Sequence, residues 1–222
     1  MAESVVVIGA GIVGMACAGY LQRDGHAVTV VDRVAPGEGC SSGNAGGMSP
    51  GSVVPLSMPG TSAQVMKWLF DPLGPLSLRP SYLPRLIPWL LRFKRAGSPE
   101  RVEQISIALR ALHEDLFECY DPLIRAAKAE DLIVRDGQMY VYQSEESFRQ
   151  DAAGRDLRRA RGVVVEELDS DQIREREPAL APIFERAAFF PEHGHCRDPH
   201  ALVRRLAEQF QRAGGTILRN QV

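Results

Sequence analysis

Apolar positions change their spacing repeatedly along this chain, and each change marks an element. Residues 5–8 (VVVI) are a continuous apolar run, the pattern of a parallel strand covered on both faces. Val13, Ala16, Cys17, Tyr20 and Leu21 then recur at helical spacing, and Gly25 stands where a helix cap is expected. Residues 28–31 form a second strand that ends on Asp32. Residues 33–52 have no hydrophobic period. Residues 53–93 are apolar, aromatic and Pro-rich, with Trp68 and Trp89, and Pro80, Pro84 and Pro88 predict short helical pieces there rather than one helix.

Ser98, Pro99 and Glu100 are a helix start: N-cap, proline at the first position, acid in the first turn. Val102, Ile105, Leu109, Leu112 and Leu116 follow at helical spacing, Asp121-Pro122 is expected to break the helix, and apolar positions resume at Leu123, Ile124 and Ala127. Residues 132–143 (LIVRDGQMYVYQ) read as a β-hairpin turned at Asp136-Gly137. A charged helix over 145–161 ends at Gly162, 163–165 make a short strand, Ser170 opens a helical turn that stops before Pro178, and 187–190 are another strand. Tyr140, Tyr142, Phe189 and Phe190 lie on these strands as core aromatics. Asp198-Pro199 begins a last helix with Leu202, Val203, Leu206, Ala207 and Phe210 on one face and Arg204, Arg205, Glu208 and Gln209 opposite. Gly214-Gly215 ends that helix and 216–218 begin a strand.

The totals narrow the class. With 222 residues, 45% hydrophobic and 24% charged, the composition is that of an ordinary globular protein of one or two domains. A net charge of −2 gives no general attraction to nucleic acid. Cys17, Cys40, Cys119 and Cys196 are scattered without a C-x-x-C, the usage of reduced thiols in a cytoplasmic protein. The N-terminus lacks the basic n-region of a signal peptide, and no apolar run is long enough to span a bilayer. His193, His195, Cys196 and His200 are the one metal-like cluster. Their H-x-H-C-x3-H spacing matches no standard site, so no metal is expected.

The chemistry concentrates at Gly9, Gly11 and Gly14, a G-x-G-x-x-G between strand and helix. The first glycine permits the tight turn, the second lets a pyrophosphate reach the backbone, and the third removes a Cβ where helix meets strand. Asp32 ends the second strand, where its carboxylate accepts the hydroxyls of an adenosine ribose. The cofactor-contact candidates are therefore Val7, Ile8, Gly9, Ala10, Gly11, Ile12, Val13 and Gly14, with Asp32 and its neighbour Arg33. From this turn alone, FAD and a nicotinamide dinucleotide are both open.

The loop that follows is more specific. S-S-G-N-A-G-G at 41–47, then S-P-G and V-P-L-S-M-P-G, resembles the D-amino-acid oxidase (DAO) superfamily, and most of all its bacterial D-amino-acid dehydrogenase small-subunit group. In that family the Ser-x-x-Asn-x-Gly segment lies against the FAD pyrophosphate and approaches the flavin ring. The resemblance therefore implies FAD as cofactor and adds Ser41, Ser42, Asn44, Ala45, Gly46 and Gly47 as contacts, with Val222 at the entry to an adenine-contacting segment. It implies an α/β protein (α+β overall) in which a Rossmann-like FAD-binding domain, residues 1–60 and 196–222, carries an inserted, hairpin-containing substrate domain, residues 61–195. The implied reaction is oxidative deamination of a D-amino acid by hydride transfer to flavin N5, with a quinone or carrier as electron acceptor.

No catalytic residue stands out, which agrees with hydride transfer to a cofactor. Trp89, Leu90, Leu91 and Phe93 beside Arg92, Lys94 and Arg95 leave two readings: a packing surface or lid, which is preferred, and a peripheral anchor at the inner face of a membrane. By resemblance, family members are roughly twice this length, a two-domain size. The match therefore covers an N-terminal half, without the arginine that grips the substrate carboxylate, and weak FAD retention is expected. The alternatives are a glycine- or sarcosine-oxidase-like flavoenzyme using dioxygen, a nicotinamide dehydrogenase, and a non-catalytic remnant.

Overall fold

A computed structural model describes residues 2–60, 65 and 79–219; Trp68 and Val222 lie outside the described residues. In chain order the regular elements begin β1 (Ser4–Ile8), α1 (Ile12–Arg23), β2 (Ala27–Asp32) and β3 (Gly47–Met48). Further on among the described residues, a 3-10 turn (Pro80–Tyr82) leads into α2 (Leu83–Ala96), which runs unbroken through Pro84 and Pro88, where an interruption was expected. Pro84 sits in its first turn, where a helix uses no N–H, so only Pro88 removes a backbone bond. Trp89 and Phe93, one turn apart, stack with centroids 5.1 Å apart.

The helix begun at Ser98-Pro99 is α3 (Pro99–His113), and the break comes just after it rather than at Asp121-Pro122. The next helix, α4 (Leu116–Ala127), runs through Pro122. An interior proline costs about 3 kcal/mol. Burial of Leu123 and Ile124, 6% and 2% exposed, contributes about 1.5–3 kcal/mol each and wins.

The expected hairpin is not formed. β4 (Ile133–Val134) pairs antiparallel with β8 (Gly194–Cys196), whereas β5 (Gln138–Tyr142) joins another sheet. Gly137 does take the positive φ of a turn, +90°, but its N–H donates to the His193 carbonyl and not across a hairpin. The charged 145–161 segment is two helices, α5 (Glu145–Gln150) and α6 (Ala152–Ala160), which meet at Asp151. The strand expected at 163–165 begins later, as β6 (Glu166–Asp169), and Val163 is a core residue instead. α7 (Ser170–Arg176) starts from an Asp169–Gln172 capping box. After β7 (Arg186–Phe190) and β8 come α8 (Pro199–Arg212), capped by Asp198 accepting from the Ala201 N–H, and β9 (Thr216–Arg219).

The elements form two compact units. One is Met1–Pro50, Asp115–Gln138 and Pro191–Val222; the other is Gly51–Glu114 and Met139–Phe190. These limits differ from the expected 1–60/196–222 and 61–195. Residues 115–138 and 191–195 pack with the glycine turn, and 51–60 with the other unit. An apolar helix face such as Leu123, Ile124 and Ala127 has the same period whichever core it enters.

The first unit is built on a parallel sheet in the order β1-β2-β9, in which Val7 pairs with Val30 and Val30 with Ile217. α1 and α8 cover one face of it: Met15 and Ala18 meet Val28, Val30, Leu202, Leu206 and Phe210 in a single core. On the opposite face Val6 and Ile8 are 62% and 70% exposed among the described residues, where a strand covered on both sides was expected. A second, small sheet in the order β3-β8-β4 flanks this core.

The second unit holds a sheet in the order β5-β7-β6, with β6 and β7 antiparallel. Its two faces make separate cores, Val53, Val163, Ala188 and Phe190 on one and Leu168, Ile173 and Ala187 on the other. Arg155 is buried there and lies over the Phe148 ring. It donates to the Phe148 carbonyl at 2.6 Å and to Glu167 at 3.4 Å, so its charge is compensated.

Candidate functional site in the glycine turn

The turn between β1 and α1 is held at three points. Gly9 takes φ +107° and donates its N–H to the Val31 carbonyl at 2.8 Å. A Cβ on Gly14 would stand 1.9 Å from the Gly9 carbonyl oxygen, so only glycine allows α1 to start this close to the strand. Asp32 supplies the third point. Its carboxylate accepts from the Ala10 N–H at 2.7 Å and the Val34 N–H at 3.1 Å.

Those two bonds, the Ala10 one first, hold the Asp32 carboxyl below the usual aspartate range. Their stabilisation is present above the ordinary aspartate value and is lost as pH falls through the lowered one. Asp32→Ala leaves the buried Ala10 N–H without its acceptor, and the expected loss is about 1–3 kcal/mol at neutral pH. Urea midpoints of both proteins measured down to acid pH check this: the gap should close as the wild-type carboxylate protonates.

The 33–52 loop closes onto the turn. Gly37 N–H donates to the Ala10 carbonyl at 3.0 Å, and Ser41 Oγ accepts from the Ile12 N–H at 3.0 Å at the start of α1. Asn44 ties the loop to itself: its Nδ2 donates to the Ser41 carbonyl at 3.2 Å, and its Oδ1 accepts from the Gly46 N–H at 2.7 Å. Gly46 has φ +68°, and its carbonyl accepts from the Cys196 N–H at 2.8 Å. A Cβ there would lie 2.2 Å from the Cys196 carbonyl oxygen. β3 continues this segment antiparallel to β8, with Gly47 opposite His195.

Gly9, Ala10, Gly11, Ile12, Ser41, Asn44, Gly46 and Gly47 are thus brought together. Val7 and Gly14 support the turn from behind. Val13, Arg33, Ser42 and Ala45 are exposed at its rim, and Ile8 is exposed on the sheet face opposite α1 and α8. Val222 is outside the described residues.

Beside the loop lies a cavity of about 150 Å³, lined by Ile12, Asn44, Gly46, Gly47, Tyr120 and Cys196 among others. Tyr120 and Cys196 were not legible as site residues, because the chain reaches them only through α4 and β8. Burial pushes the Tyr120 phenol above its usual range, and the Cys17 and Cys196 thiols add to it. Burial likewise raises the Cys196 thiol, which makes it a packing group and not a nucleophile. The histidines diverge. His193 Nδ1 meets Gln138 Oε1 at 2.9 Å, while His195 Nδ1 lies 3.6 Å from Asp136. Among the described residues no three His, Cys, Asp or Glu side chains are grouped to hold a metal ion.

This geometry fits a dinucleotide. The N-terminus of a helix carries roughly half a positive charge, which suits a pyrophosphate, although Ser41 Oγ already takes the Ile12 N–H and Asp32 the Ala10 N–H. At Gly11 the backbone is bare, and a Cβ there would come 3.2 Å from Ser41 Oγ. Asp32 stands at the end of the neighbouring strand β2.

Comparisons with known proteins agree on the class of cofactor. The family model DAO, described as FAD dependent oxidoreductase, matches residues 4–222. The D-amino-acid oxidase of Bradyrhizobium diazoefficiens is 41% identical over 218 residues, 97% of this chain and 52% of that protein. D-amino acid dehydrogenase 2 of Ralstonia nicotianae is 38% identical over 181 residues, 80% of this chain and 42% of that protein. The chain therefore spans about half the length of the curated relatives it matches. Among solved structures, glycine oxidase from Geobacillus kaustophilus superposes with a TM-score of 0.61 at 19% identity, over 98% of this chain and 47% of that one. L-proline dehydrogenase from P. horikoshii gives 0.56 at 17% identity, over 98% and 43%. At such identities these structures bear on fold alone.

Proposed function

Because the chain belongs to the DAO family of FAD dependent oxidoreductases, we propose that it takes part in oxidative deamination of D-amino acids. Both curated relatives bear names of D-amino-acid enzymes, which supports that substrate class. The observation that carries the reading is the union of two motifs distant in sequence. Ser41 Oγ sits on the Ile12 N–H, and Asn44 folds the loop so that Gly46 and Gly47 follow directly.

In this reading the first unit is a Rossmann-like FAD-binding domain, and the second belongs to the substrate side. Gly9, Ala10, Gly11, Ile12 and Val13 receive the pyrophosphate, and Asp32 with Arg33 takes the adenosine ribose. Val7, Ile8 and Gly14 shape the strand and helix around the turn. Ser41, Ser42, Asn44, Ala45, Gly46 and Gly47 face the flavin half, and Val222 leads to the adenine. These residues would hold FAD, which would supply the hydride-accepting chemistry for the substrate α-carbon. The chain's own residues orient it: the N-terminus of α1 binds the phosphates, and the tied Asn44 loop excludes water beside them. The amino group loses a proton as the α-carbon loses the hydride, and the imino acid then hydrolyses to a 2-oxo acid and ammonia.

The electron acceptor is proposed to be a quinone or carrier, as the name dehydrogenase suggests for one relative. Dioxygen, the acceptor of a glycine- or sarcosine-oxidase-like enzyme, is the second reading, favoured by the name of the more identical relative. The protein is proposed to be cytoplasmic, and α2 supports peripheral membrane attachment as the second reading of this stretch beside a packing surface or lid. None of its residues is buried, Ile87, Trp89 and Leu91 are exposed, and Arg85, Arg92, Lys94 and Arg95 lie on the same helix. No helix among the described residues is long and apolar enough to cross a membrane.

One set of assays on the purified protein tests these statements together. Weak uptake of added FAD with a flavin absorbance band, slow turnover that favours D-alanine over L-alanine, quinone reduction exceeding dioxygen uptake, and sedimentation with anionic vesicles are expected. Turnover of the L-isomer alone would sink the substrate class. A colourless protein that takes up no added FAD would mark a non-catalytic remnant.

A further inference from the structure

A polar side-chain chain stands just beyond β3, and none of the FAD contacts proposed above uses it. Ser49 follows Met48 directly and donates its hydroxyl to Gln138 Oε1 at 3.2 Å. His193 Nδ1 lies 2.9 Å from the same oxygen, and His193 is only 1% exposed. An amide oxygen can only accept, so with it turned to both donors the imidazole carries its proton on Nδ1. The backbone closes the same ring. Gly137 N–H donates to the His193 carbonyl at 3.0 Å, and β8, which begins one residue after His193, pairs Gly194 with Met48 and His195 with Gly47.

We infer that Gln138 and His193 are positioning residues that hold Ser49, and through it the Gly46–Gly47–Met48 backbone, at the flavin half of the cofactor site. The inference rests on the FAD reading above. Three independent ties meet at this short strand: Asn44 before it, β8 beside it and the Ser49–Gln138–His193 chain after it. A two-residue strand has few ladder bonds of its own, so its register depends on such ties. A buried imidazole N–H also needs its acceptor, because burial without a hydrogen bond is costly. Gln138 therefore satisfies His193 and anchors Ser49 with one atom. The adenosine half of the cofactor is assigned to the Gly9–Gly14 turn and Asp32, which this chain does not touch.

That separation makes the test. FAD and ADP are titrated into the purified protein and its variants, with binding followed by protein fluorescence and by the visible flavin band. Gln138→Leu keeps the approximate volume and removes the acceptor. It should raise the Kd for FAD roughly tenfold and alter the shape of the bound-flavin band, while the Kd for ADP stays unchanged. Gln138→Glu, which again offers oxygen acceptors to both donors, should restore the FAD affinity and the band. Ser49→Ala removes only one donor and should shift FAD in the same direction by a few-fold, which keeps the test available if Gln138→Leu does not fold. Equal weakening of FAD and ADP, or a lowered melting temperature with FAD affinity and band unchanged, would overturn the inference. Wild-type protein that binds ADP but not FAD would overturn the FAD reading and this inference with it.

Discussion

Gly14→Ala should cost the protein both its thermal stability and its FAD. The added methyl would lie 1.9 Å from the Gly9 carbonyl oxygen, far inside contact distance, and the obstacle is backbone that cannot rotate away. Helix α1 would have to lift from the turn, although Met15 and Ala18 on its inner face are buried in the first unit's core. Alanine's advantage over glycine in a helix is worth about 1 kcal/mol. Overpacking against a rigid wall costs about 1–3 kcal/mol, and a clash with a carbonyl belongs at the upper end. The net loss is then about 2 kcal/mol, to be set against a domain stability of about 5–15 kcal/mol. The displaced helix also carries the N–H groups assigned to the pyrophosphate. A thermal melt and an FAD titration measure both effects; wild-type values in both would show that the close approach of helix and strand is not required.

Gly11→Val separates what Gly14→Ala joins. The backbone at Gly11 has φ −79° and ψ −177°, an extended conformation open to any residue, so the fold should survive. Its Cβ would come 3.2 Å from Ser41 Oγ, a side-chain atom able to yield a few tenths of an ångström. The two valine methyls would then occupy the space over the turn where phosphate oxygens meet the helix N-terminus. Charge-assisted hydrogen bonds are worth about 1.5–3 kcal/mol each, so losing one should raise the Kd for FAD at least about tenfold and losing two about 100-fold or more. The melting temperature of the flavin-free protein should change little. Stoichiometric flavin retained by this variant would remove the pyrophosphate from the turn.

Much of this site was legible along the chain because its requirements are local. Gly9 needs a positive φ, Gly14 the absence of a Cβ and Asp32 a place at a strand end, and all three follow from the spacing within one strand–turn–helix–strand unit. The Asn44 loop was legible only as a family resemblance; its spacing did not show that Ser41 caps Ile12 or that Asn44 bonds across to Gly46. Nor did it show that Asp32 holds the Ala10 N–H. Tyr120 and Gln138 left no signal, and His193 and Cys196 stood out only as part of a metal-like cluster, because they reach the loop from elements distant in the chain.

The sequence by itself determined the elements whose cause lies within a few residues. These are the glycine turn, α1 and α8 with their apolar faces, the start of α3 at Ser98-Pro99, and the positive-φ turn at Gly137. Tertiary structure alone decided partners. It set β4 against β8 although Asp136-Gly137 looks like a hairpin turn, carried α4 through Pro122, and sent residues 115–138 to the unit of the glycine turn. Helical or strand period reports which face of an element is apolar and nothing about which core receives it. That choice is made by contacts between residues far apart in the chain, where burying Leu123 and Ile124 outweighs a proline's lost hydrogen bond.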